Sequence, residues 1–369
     1  MAVSVTHRNT EAQDRVRLAR VMGRADLRAF VELPYRLHAR DPHWVAPLRR
    51  DEYRRLSPRH NPFFEHGTIV SWLARRGGAV VGRISAIDDR LYTEKFGVRT
   101  TWFGFFEAAD AEVAARLLRQ VEQAAEAVDS VVVRGPVNPS LHESAGLLVD
   151  GFDTDPYLLM PHNPPHYPAF IEGAGYQKAK DLLAWDLDLT APLGSRIARI
   201  GARFASRAGI TVRPVRMDPS GFQADLVALQ GIYEAAWHDN WGFVAPTGAE
   251  MRQLATDLRP IVDPELVLFA EAAGRVVGCA VALPDVNQVL KKMRGRLLPF
   301  GIVHFLRRKA IVNRARALLF GLLPEYRRDG LYPLLIAELH RRAVNRGYRR
   351  GELSWTLEDN HAVNQGIEA

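Results

Sequence analysis

The sequence contains its own repeat, which restricts the folds open to it. Residues 74–82 read ARRGGAVVG and residues 270–278 read AEAAGRVVG, so both fit A-x-x-x-G-x-V-V-G at an offset of 270 − 74 = 196 residues. In each copy two apolar runs flank a turn that contains glycine, which is typical of an antiparallel hairpin. A repeat of this length indicates two related halves.

Two later matches extend the repeat. Phe103-Gly104 aligns with Phe320-Gly321 at an offset of 217, and Ile171-Glu172 aligns with Ile367-Glu368 at 196 again. The difference, 217 − 196 = 21 residues, predicts an insertion in the second half. We place it at the basic, irregular stretch 286–313.

The chain length also favours two domains, because 369 residues are enough for two separate cores. The stretch from Asp188 to Gly194 carries Thr190, Pro192 and Gly194 and is typical of a linker. We therefore predict one domain over residues 1–190 and a second over residues 195–369.

Periodicity predicts similar elements in each half. In the first, Asp110 caps a helix that runs to about residue 128, and a strand follows at 131–133. In the second, a strand at 315–323 leads through a turn to a helix over 331–346, and an alternating strand follows at 352–357. Leu331, Leu334, Leu335, Leu339 and Ala343 fall on one face of that helix. The predicted class is α/β (α+β), each domain a mixed, mostly antiparallel sheet flanked by helices.

The segment LPEYRRDGL, residues 323–331, joins a predicted strand to this amphipathic helix. Glycine lets the backbone approach an anion, and the first amides of a helix point outward with the positive end of the dipole behind them. Two arginines add positive charge. The segment is suited to hold a pyrophosphate, and the alternative is a solvated basic loop before an ordinary helix.

At this loop the sequence resembles the GNAT superfamily of acetyl-CoA-dependent N-acyltransferases, and in particular bacterial proteins with two fused GNAT-like domains. The family loop R/Q-x-x-G-x-G/A holds the cofactor pyrophosphate, and its first four positions match here. The resemblance implies acetyl-CoA or a related acyl-CoA as co-substrate. It implies cofactor-binding roles for these residues: Leu323, Arg327, Arg328, Asp329, Gly330, Leu331 and Asn360. The alternative role of Asn360 is a helix N-cap.

Three features depart from the family pattern. Tyr332 stands where the loop ends in a small residue, and its side chain is expected to crowd the amides. Compared with the first half, the second half stops at Ala369 before its last strands, so either the chain is a fragment or another segment fills that sheet edge. The equivalent loop of the first half, 106–112, carries Glu107 and Asp110, which repel a pyrophosphate, so we expect no cofactor there.

No residue stands out as the general base. The candidates by position are Glu325, Glu352 and Ser354, each with an ordinary exposed polar residue as the alternative, and His238. His238 lies in the aromatic stretch 237–243, which is read as core packing or as an acceptor-binding loop. The turn-rich stretch 134–165 either lines the acceptor pocket or serves as scaffold.

Charge and cysteine content limit the partners. The net charge of +7 favours anionic partners, and the single Cys279 with no secretory signal favours the cytoplasm. The histidines show no metal-ligand spacing, and no nucleic-acid-binding motif is present. The apolar run 297–306 is too short to span a bilayer and is predicted to be a buried or surface segment, so we expect no membrane partner.

Two functions follow from this reading. The first is an N-acyltransferase that transfers an acyl group to a small-molecule or peptide amine, and we expect that group to be acetyl. In this function the second half binds the cofactor and the first half completes the acceptor cleft. The second is a catalytically degenerate tandem GNAT protein that binds a ligand or partner. Arg327 to Gly330 with Asn360 favour the first, whereas Tyr332 and the missing base favour the second.

Overall fold

A computed structural model describes residues 15–205, 209–327 and 330–368. It divides into two compact units. The first comprises residues up to Ala179 together with the short segment Arg294–Leu297, and the second comprises Lys180–Met293 and Leu298 onward.

The first unit is built on a five-stranded sheet in the order β1-β2-β3-β4-β5, in which only β4 and β5 run parallel among the pairings described. Helix α4 packs its buried leucines and valines on this sheet and forms the core. The elements of the unit are β1 (Arg17–Arg20), α1 (Gly23–Leu37), α2 (Arg49–Arg55), β2 (Gly67–Arg76), β3 (Ala79–Asp89), α3 (Arg90–Phe96), β4 (Thr100–Ala108), α4 (Ala111–Glu126), β5 (Val132–Arg134), β6 (Val137–Asn138), β7 (Ser144–Ala145) and α5 (Tyr167–Gly173).

The second unit is built on a six-stranded sheet in the order β8-β13-β12-β11-β10-β9, in which β12 and β13 are the parallel pair. Both sheets are mixed, mostly antiparallel and flanked by helices, which confirms the predicted fold class. The elements are β8 (Leu182–Asp188), α6 (Ser195–Ala205), β9 (Ile210–Pro214), α7 (Pro219–Trp237), α8 (Gly248–Leu258), β10 (Val267–Ala272), β11 (Arg275–Pro284), α9 (Asn287–Met293), α10 (Gly301–Leu306), α11 (Arg308–Ile311), β12 (Arg314–Leu322), α12 (Leu331–Asn345), β13 (Arg350–Leu357) and α13 (His361–Glu368).

The repeated hairpins have the same geometry. Ala74 pairs with Gly82 and Ala270 pairs with Gly278, and in both hairpins the register shifts immediately after that alanine. The glycine that ends each motif is tightly packed: a Cβ added to Gly82 would overlap Leu117 of α4, and one added to Gly278 would overlap Leu322 of β12. The structure therefore supports the internal repeat, down to the position of its bulge.

The register corrects the alignment of the following strand. Arg83 pairs with Glu107, and Cys279, which is 196 residues after Arg83, pairs with Gly321. Structurally equivalent residues of β4 and β12 are thus 321 − 107 = 214 residues apart in the sequence. The match of Phe103-Gly104 with Phe320-Gly321, at an offset of 217, does not align equivalent positions. Strand pairing decides equivalence because it fixes which backbones are neighbours, whereas a dipeptide match does not.

The insertion lies where it was predicted. Residues 285–313 separate β11 from β12, whereas residues 90–99 suffice between β3 and β4. Its ends are joined: the backbone N–H of Asp285 donates to the carbonyl of Arg314 at 2.8 Å, and the Gln288 amide bonds Asn313 at 2.9 Å. Three short helices occupy the segment between them.

The position of the edge strand β8 moves the domain boundary away from the predicted residues 190–195. The sequence comparison assigned Leu182–Leu189 to the first half, but β8 pairs antiparallel with β13 from Arg350↔Asp188 to Leu357↔Leu182. The clustering of contacts accordingly separates the units between Ala179 and Lys180. The second sheet thus receives an edge strand from sequence that precedes the rest of its unit.

Helix α12 follows from its sequence pattern. All five residues predicted on its inner face, from Leu331 to Ala343, are buried against the second sheet. Gly347, with φ of 90°, ends the helix region in the left-handed conformation that a side chain disfavours. The helix is therefore held in place by apolar burial, and its N-terminus is fixed at the edge of the loop that precedes it.

Candidate functional site

The parallel strands of the second unit pair over only four residues. Their register runs from Arg314↔Arg350 to Ala317↔Leu353, yet β12 continues to Leu322 and β13 to Leu357. On its other side β12 pairs with β11, and the register of that pairing shifts between Val281 and Ala282 of β11, which marks a bulge at the same level. Bulges bend a strand and end pairing, which accounts for the end of the β12–β13 pairing at this level.

The loop after β12 reaches the N-terminus of α12. Eight residues, 323–330, connect the strand to the helix, whereas the first unit uses only Ala109 and Asp110. Gly330 has a φ of 72°, and a Cβ at this position would overlap the ring of Phe204. Glycine is required there both by conformation and by space.

Helix α12 begins with amides that have no acceptor within the helix. The N–H of Leu334 bonds the carbonyl of Gly330 at 3.4 Å and is the first to have a partner in the helix. The amides of Leu331 and Tyr332 precede it, so they have no acceptor within the helix. Together with the helix dipole they favour an anion at this end.

The cofactor residues predicted in this loop are only partly described. Arg328 and Asp329 lie outside the described residues. Arg327 donates from Nη2 to the carbonyls of Ala235 and Ala236, at 3.1 and 3.4 Å, near the C-terminus of α7. Its guanidinium is therefore held beside the loop.

Three further loop positions have structural roles. Leu331 is buried, and Leu323 and Tyr332 are half-buried against the core of the unit. Burial raises the pKa of the Tyr332 hydroxyl. The aromatic ring that departs from the family pattern is thus packed against the core. Asn360 lies directly before α13 and its carbonyl accepts the N–H of Val363 and of Asn364, which is the position of a helix cap.

A buried polar cluster lies at the point where β12 and β13 separate. Arg316 and Glu352 are paired positions on the two strands. Arg316 Nε donates to Ser354 Oγ at 2.7 Å, and Ser354 Oγ donates to Glu352 Oε1 at 2.5 Å. Arg316 Nε also lies 3.5 Å from Glu352 Oε1. The three side chains form one hydrogen-bonded unit.

Burial sets the electrostatics of this cluster. It lowers the pKa of Arg316 to about 10, so the guanidinium is still charged at neutral pH. Burial also raises the pKa of Glu352, against the opposing effects of the Ser354 hydrogen bond and the Arg316 charge. A carboxylate whose pKa is moved toward neutrality is suited to exchange protons near physiological pH.

The structure separates the predicted catalytic candidates. Ser354 belongs to the cluster. Glu325 is exposed and forms an ion pair with Arg275 at 3.5 Å, and His238 is exposed at the C-terminal end of α7. Glu325 follows β12 in the loop before α12 and His238 follows α7, so neither lies on the two strands that carry the cluster.

Sequence reasoning missed Arg316. The signal was present in Arg314-Ala315-Arg316-Ala317, where charged residues alternate within an otherwise apolar strand. Such charges are seldom buried unless they are paired. Arg314 forms an ion pair with Asp285, which is fully buried, at 2.5 Å.

The first unit has an equivalent parallel pair of strands, but the chain segment after β5 lies against the end of that pair. β4 and β5 pair only from Thr100↔Val132 to Trp102↔Arg134. Beyond that point Asn138 Oδ1 accepts the N–H of Phe105 at 2.5 Å. A Cβ added to Gly104 would overlap the carbonyl oxygen of Val137, so this segment lies tightly against β4.

Glu107 is part of a buried network in the first unit, and not of a loop as the sequence suggested. It lies in β4, accepts Tyr167 Oη–H at 2.8 Å and bonds His38 Nε2 at 2.8 Å. Arg83 lies 3.7 Å away. Asp110 caps α4 through the N–H of Val113 and pairs with Arg76, so a carboxylate occupies the helix N-terminus. The corresponding anion site is filled by the chain itself.

Other features add no metal centre. No group of three or more His, Cys, Asp or Glu residues is arranged to hold a metal ion within residues 15–205, 209–327 and 330–368. Over the same ranges no helix is long and apolar enough to cross a membrane.

Two mixed sheets, each with a parallel pair whose strands separate, define the class by its fold, which is the fold of tandem GNAT structures. The chain superimposes with a TM-score of 0.59, at 12% identity, on the GCN5-related glucosamine N-acetyltransferase region of a fungal multi-domain GH3 beta-N-acetylglucosaminidase, covering 96% of this chain and 37% of that one. The TM-score is 0.54, at 16% identity, for a tandem GNAT protein from the clavulanic acid biosynthesis pathway, covering 96% and 94%. These likenesses concern the fold alone.

The sequence shows closer kinship. The chain is 38% identical over 347 residues to the bacterial ceramide synthase of Caulobacter vibrioides (strain NA1000 / CB15N), covering 92% of this chain and 90% of that protein. It is 32% identical over 359 residues to Protein YghO of Escherichia coli (strain K12), covering 94% and 90%. The chain belongs to the family of these two proteins. No family model matches it.

Proposed function

We propose that the protein is an acyl-CoA-dependent N-acyltransferase whose second unit holds the acyl-CoA. The observation that carries this proposal is the early end of the β12–β13 pairing, beside a loop that leads to the N-terminus of α12. The first unit has its own short parallel pair, but Asn138 and Asp110 fill the equivalent positions.

The pyrophosphate of the acyl-CoA is assigned to the loop and helix terminus. The amides of Leu331 and Tyr332, the dipole of α12 and the charge of Arg327 all favour an anion there. The pantetheine and thioester are assigned to the space between β12 and β13, where backbone groups offer hydrogen bonds to an extended amide chain. No comparable set of groups occurs at the Ala109-Asp110 connection, where the acidic cap repels phosphate.

The buried cluster supplies the proton chemistry. Attack of the amine nitrogen on the thioester carbonyl forms the new C–N bond, the C–S bond breaks as coenzyme A leaves with the electron pair as its thiolate, and one proton must leave the nitrogen. We assign Glu352 as the acceptor of that proton, directly or through Ser354 Oγ, which bonds it at 2.5 Å. Arg316 stabilises the carboxylate between turnovers and fixes its position.

The relatives refine the substrate class. Ceramide, in the name of the Caulobacter vibrioides relative, is the amide of a fatty acid with a long-chain amino alcohol. Because this chain is 38% identical to that protein over nearly its whole length, we propose a long-chain amino alcohol as acceptor and a fatty acyl-CoA as donor. The acetyl group expected from the sequence is the short-chain alternative.

Calorimetric titration of the full chain tests cofactor binding. Acetyl-CoA, a long-chain acyl-CoA below its critical micelle concentration and ATP are titrated in parallel. We expect saturable binding of the CoA compounds and a loss of about tenfold in affinity for Arg327→Ala, from one charge-assisted hydrogen bond of about 1.5 kcal/mol. Arg349→Ala, which changes an exposed arginine of the same unit, is the matched control.

Amide formation is measured separately by mass spectrometry with a long-chain amino alcohol and a short amine. A long-chain amide formed from the long-chain acyl-CoA supports the full proposal. Binding without any amide product points to the degenerate ligand-binding protein. A folded chain that binds no CoA compound excludes the proposed function.

A further inference from the structure

The positive charge of the chain is concentrated in its insertion. Residues 286–313 contain seven Lys and Arg residues and no Asp or Glu, a charge of 7 − 0 = +7. The whole chain has 49 basic and 42 acidic residues, so all other residues together carry 42 − 42 = 0. The segment that the second half adds to the repeat therefore accounts for the entire net charge.

The same insertion exposes large apolar side chains. Leu298 is 69% exposed, Phe300 79%, Val303 49% and Leu306 69%. Phe300, Val303 and Leu306 are spaced by three residues along α10, which brings them to one side of that helix. Side chains of this size are normally buried, and a contiguous exposed group marks an interaction surface.

Cations adjoin these apolar side chains. Arg307 and Lys309 are exposed directly after α10, in the second unit. Arg308 is held differently: it donates to the carbonyls of Phe305 and Pro260 at 3.1 and 3.0 Å, and its guanidinium lies over the Phe305 ring. Arg308 thus fixes the segment, whereas its two neighbours face solvent.

The insertion is also anchored at its base. The ion pair of Arg314 with buried Asp285 and the Gln288–Asn313 hydrogen bond join its two ends at the start of β12. The loop that leads to α12 leaves the other end of the same strand. The exposed segment is therefore fixed at its base, at the end of β12 away from the candidate cofactor loop.

We propose that residues 298–309, the docking segment, bind the surface of a bilayer that contains anionic phospholipid. Apolar side chains on a short helix enter the boundary between headgroups and acyl chains, and adjoining Lys and Arg residues are attracted by lipid phosphates. The charge complementarity selects this occupant: the docking segment has three basic residues and no carboxylate, a charge of 3 − 0 = +3 within the +7 of the insertion, and it meets a negatively charged surface. The proposal replaces the sequence-based expectation that the protein has no membrane partner, and it does not depend on the acyl transfer proposed above.

A second copy of the chain fits this surface less well. A symmetric dimer brings the same patch of both copies together, and here it would juxtapose two docking segments that each carry +3 and no carboxylate. Nucleic acid matches the charge but not the exposed Leu298, Val303 and Leu306, which offer no stacking surface to bases.

Co-sedimentation of the full chain with vesicles tests the proposal. One set of vesicles is phosphatidylcholine alone, and the other is an equimolar mixture of phosphatidylcholine and phosphatidylglycerol. We expect strong binding to the mixed vesicles, weak binding to the neutral ones, and a decrease with added salt. The double variant Phe300→Ser/Leu306→Ser is expected to lose at least about tenfold in partitioning, because each side chain forfeits most of its apolar burial.

Charge reversal supplies the second arm. Arg307→Glu/Lys309→Glu is expected to lower partitioning into the mixed vesicles by more than about twentyfold, since each cation near an anionic surface contributes about fivefold. Arg308 is left intact because it has a structural role.

Matched controls change equivalent residues elsewhere. Val131→Ser/Val227→Ser replaces two valines that are 76% and 62% exposed, and Arg349→Glu reverses an exposed arginine of the second unit. Circular dichroism establishes that all variants are folded. The proposal is overturned if the wild-type chain does not bind mixed vesicles or if the docking-segment variants bind them as well as the controls. It is also overturned if the segment instead forms a dimer that Phe300→Ser/Leu306→Ser dissociates, without any vesicle binding.

Discussion

The backbone N–H of Phe105 donates a hydrogen bond to Oδ1 of Asn138 at 2.5 Å. Through this contact the chain after β5 returns against β4, at the level where the two strands of the parallel pair separate. The equivalent strands of the second unit diverge beside the loop that leads to α12. One short segment therefore accounts for the different roles we assign to two similar sheets.

Replacement of Asn138 tests this difference. Asn138→Ala leaves the amide of buried Phe105 without its acceptor and is expected to lower the free energy of unfolding by about 1–3 kcal/mol. CoA affinity, measured by calorimetry, is expected to stay within twofold of wild type. Asn345→Ala, at an exposed position at the end of α12, is the control for stability. A marked loss of CoA affinity in folded Asn138→Ala would mean that the cofactor has been assigned to the wrong unit.

The stability of the first unit is expected to depend on acid pH through Glu107. Burial alone raises the pKa of this carboxyl, but the hydrogen bonds from His38 and Tyr167 and the charges of His38 and Arg83 outweigh it and hold the pKa below its ordinary 4.5. A carboxyl with a lowered pKa in the folded state stabilises the protein above its unfolded pKa. That stabilisation is lost as the pH falls from about 4.5 through the folded pKa.

Denaturant unfolding as a function of pH checks this expectation. Glu107→Gln is expected to flatten the acid side of the stability curve and to reduce stability at neutral pH by about 3 kcal/mol, because it removes the partner of buried charges. Glu94→Gln, in an exposed pair with Arg90, is expected to leave the curve unchanged. An unaltered acid slope in Glu107→Gln would mean that other carboxyls determine it.

The pH dependence of acyl transfer is expected to report Glu352. Burial raises the pKa of this carboxyl above 4.5, and below that raised pKa the protonated group is unable to accept a proton from the amine. The acidic limb of kcat is therefore expected above the range of an ordinary glutamate. Glu352→Gln is expected to remove the limb and lower kcat by about 10²–10⁴-fold.

Glu325→Gln is the matched control for that experiment, because Glu325 is exposed and pairs with Arg275. It is expected to keep both the limb and kcat. If Glu325→Gln loses the limb and Glu352→Gln keeps it, the proton acceptor has been assigned to the wrong residue.

Asp225 is expected to be the most sensitive carboxylate of the second unit. This buried side chain on α7 accepts hydrogen bonds from Arg213 Nη2 at 2.8 Å and from the backbone N–H of Arg216 at 2.8 Å. Asp225→Asn leaves these donors under-satisfied and is expected to cost about 3 kcal/mol of unfolding free energy. Urea unfolding measures it, with the exposed Glu234→Gln of the same helix as control. A cost below that of the control would show that solvent replaces the lost contacts.

Local patterns were sufficient for the helices and hairpins. The apolar spacing from Leu331 to Ala343 predicted the buried face of α12, because a helix repeats every 3.6 residues and each turn is determined by near neighbours. The motif at residues 74–82 and 270–278 predicted two hairpins for the same reason: its turn and its paired strands are adjacent in sequence. The glycine and arginines before α12 likewise marked the loop on which the functional proposal rests.

Pairings between distant residues were decided only by the tertiary structure. The alternation in β13 placed Ser354 and Thr356 on the polar face of the strand, but both are buried, with Arg316 donating to the first and Trp185 Nε1 to the second at 3.0 Å. The sequence of β8 contains nothing that assigns it to β13 rather than to the preceding sheet. The partner of a strand and the neutraliser of a buried charge come from far along the chain, so local periodicity carries no record of them. For this protein the sequence determined where a cofactor loop could form, and the fold decided that the chain after β5 lies against the parallel pair of the first sheet.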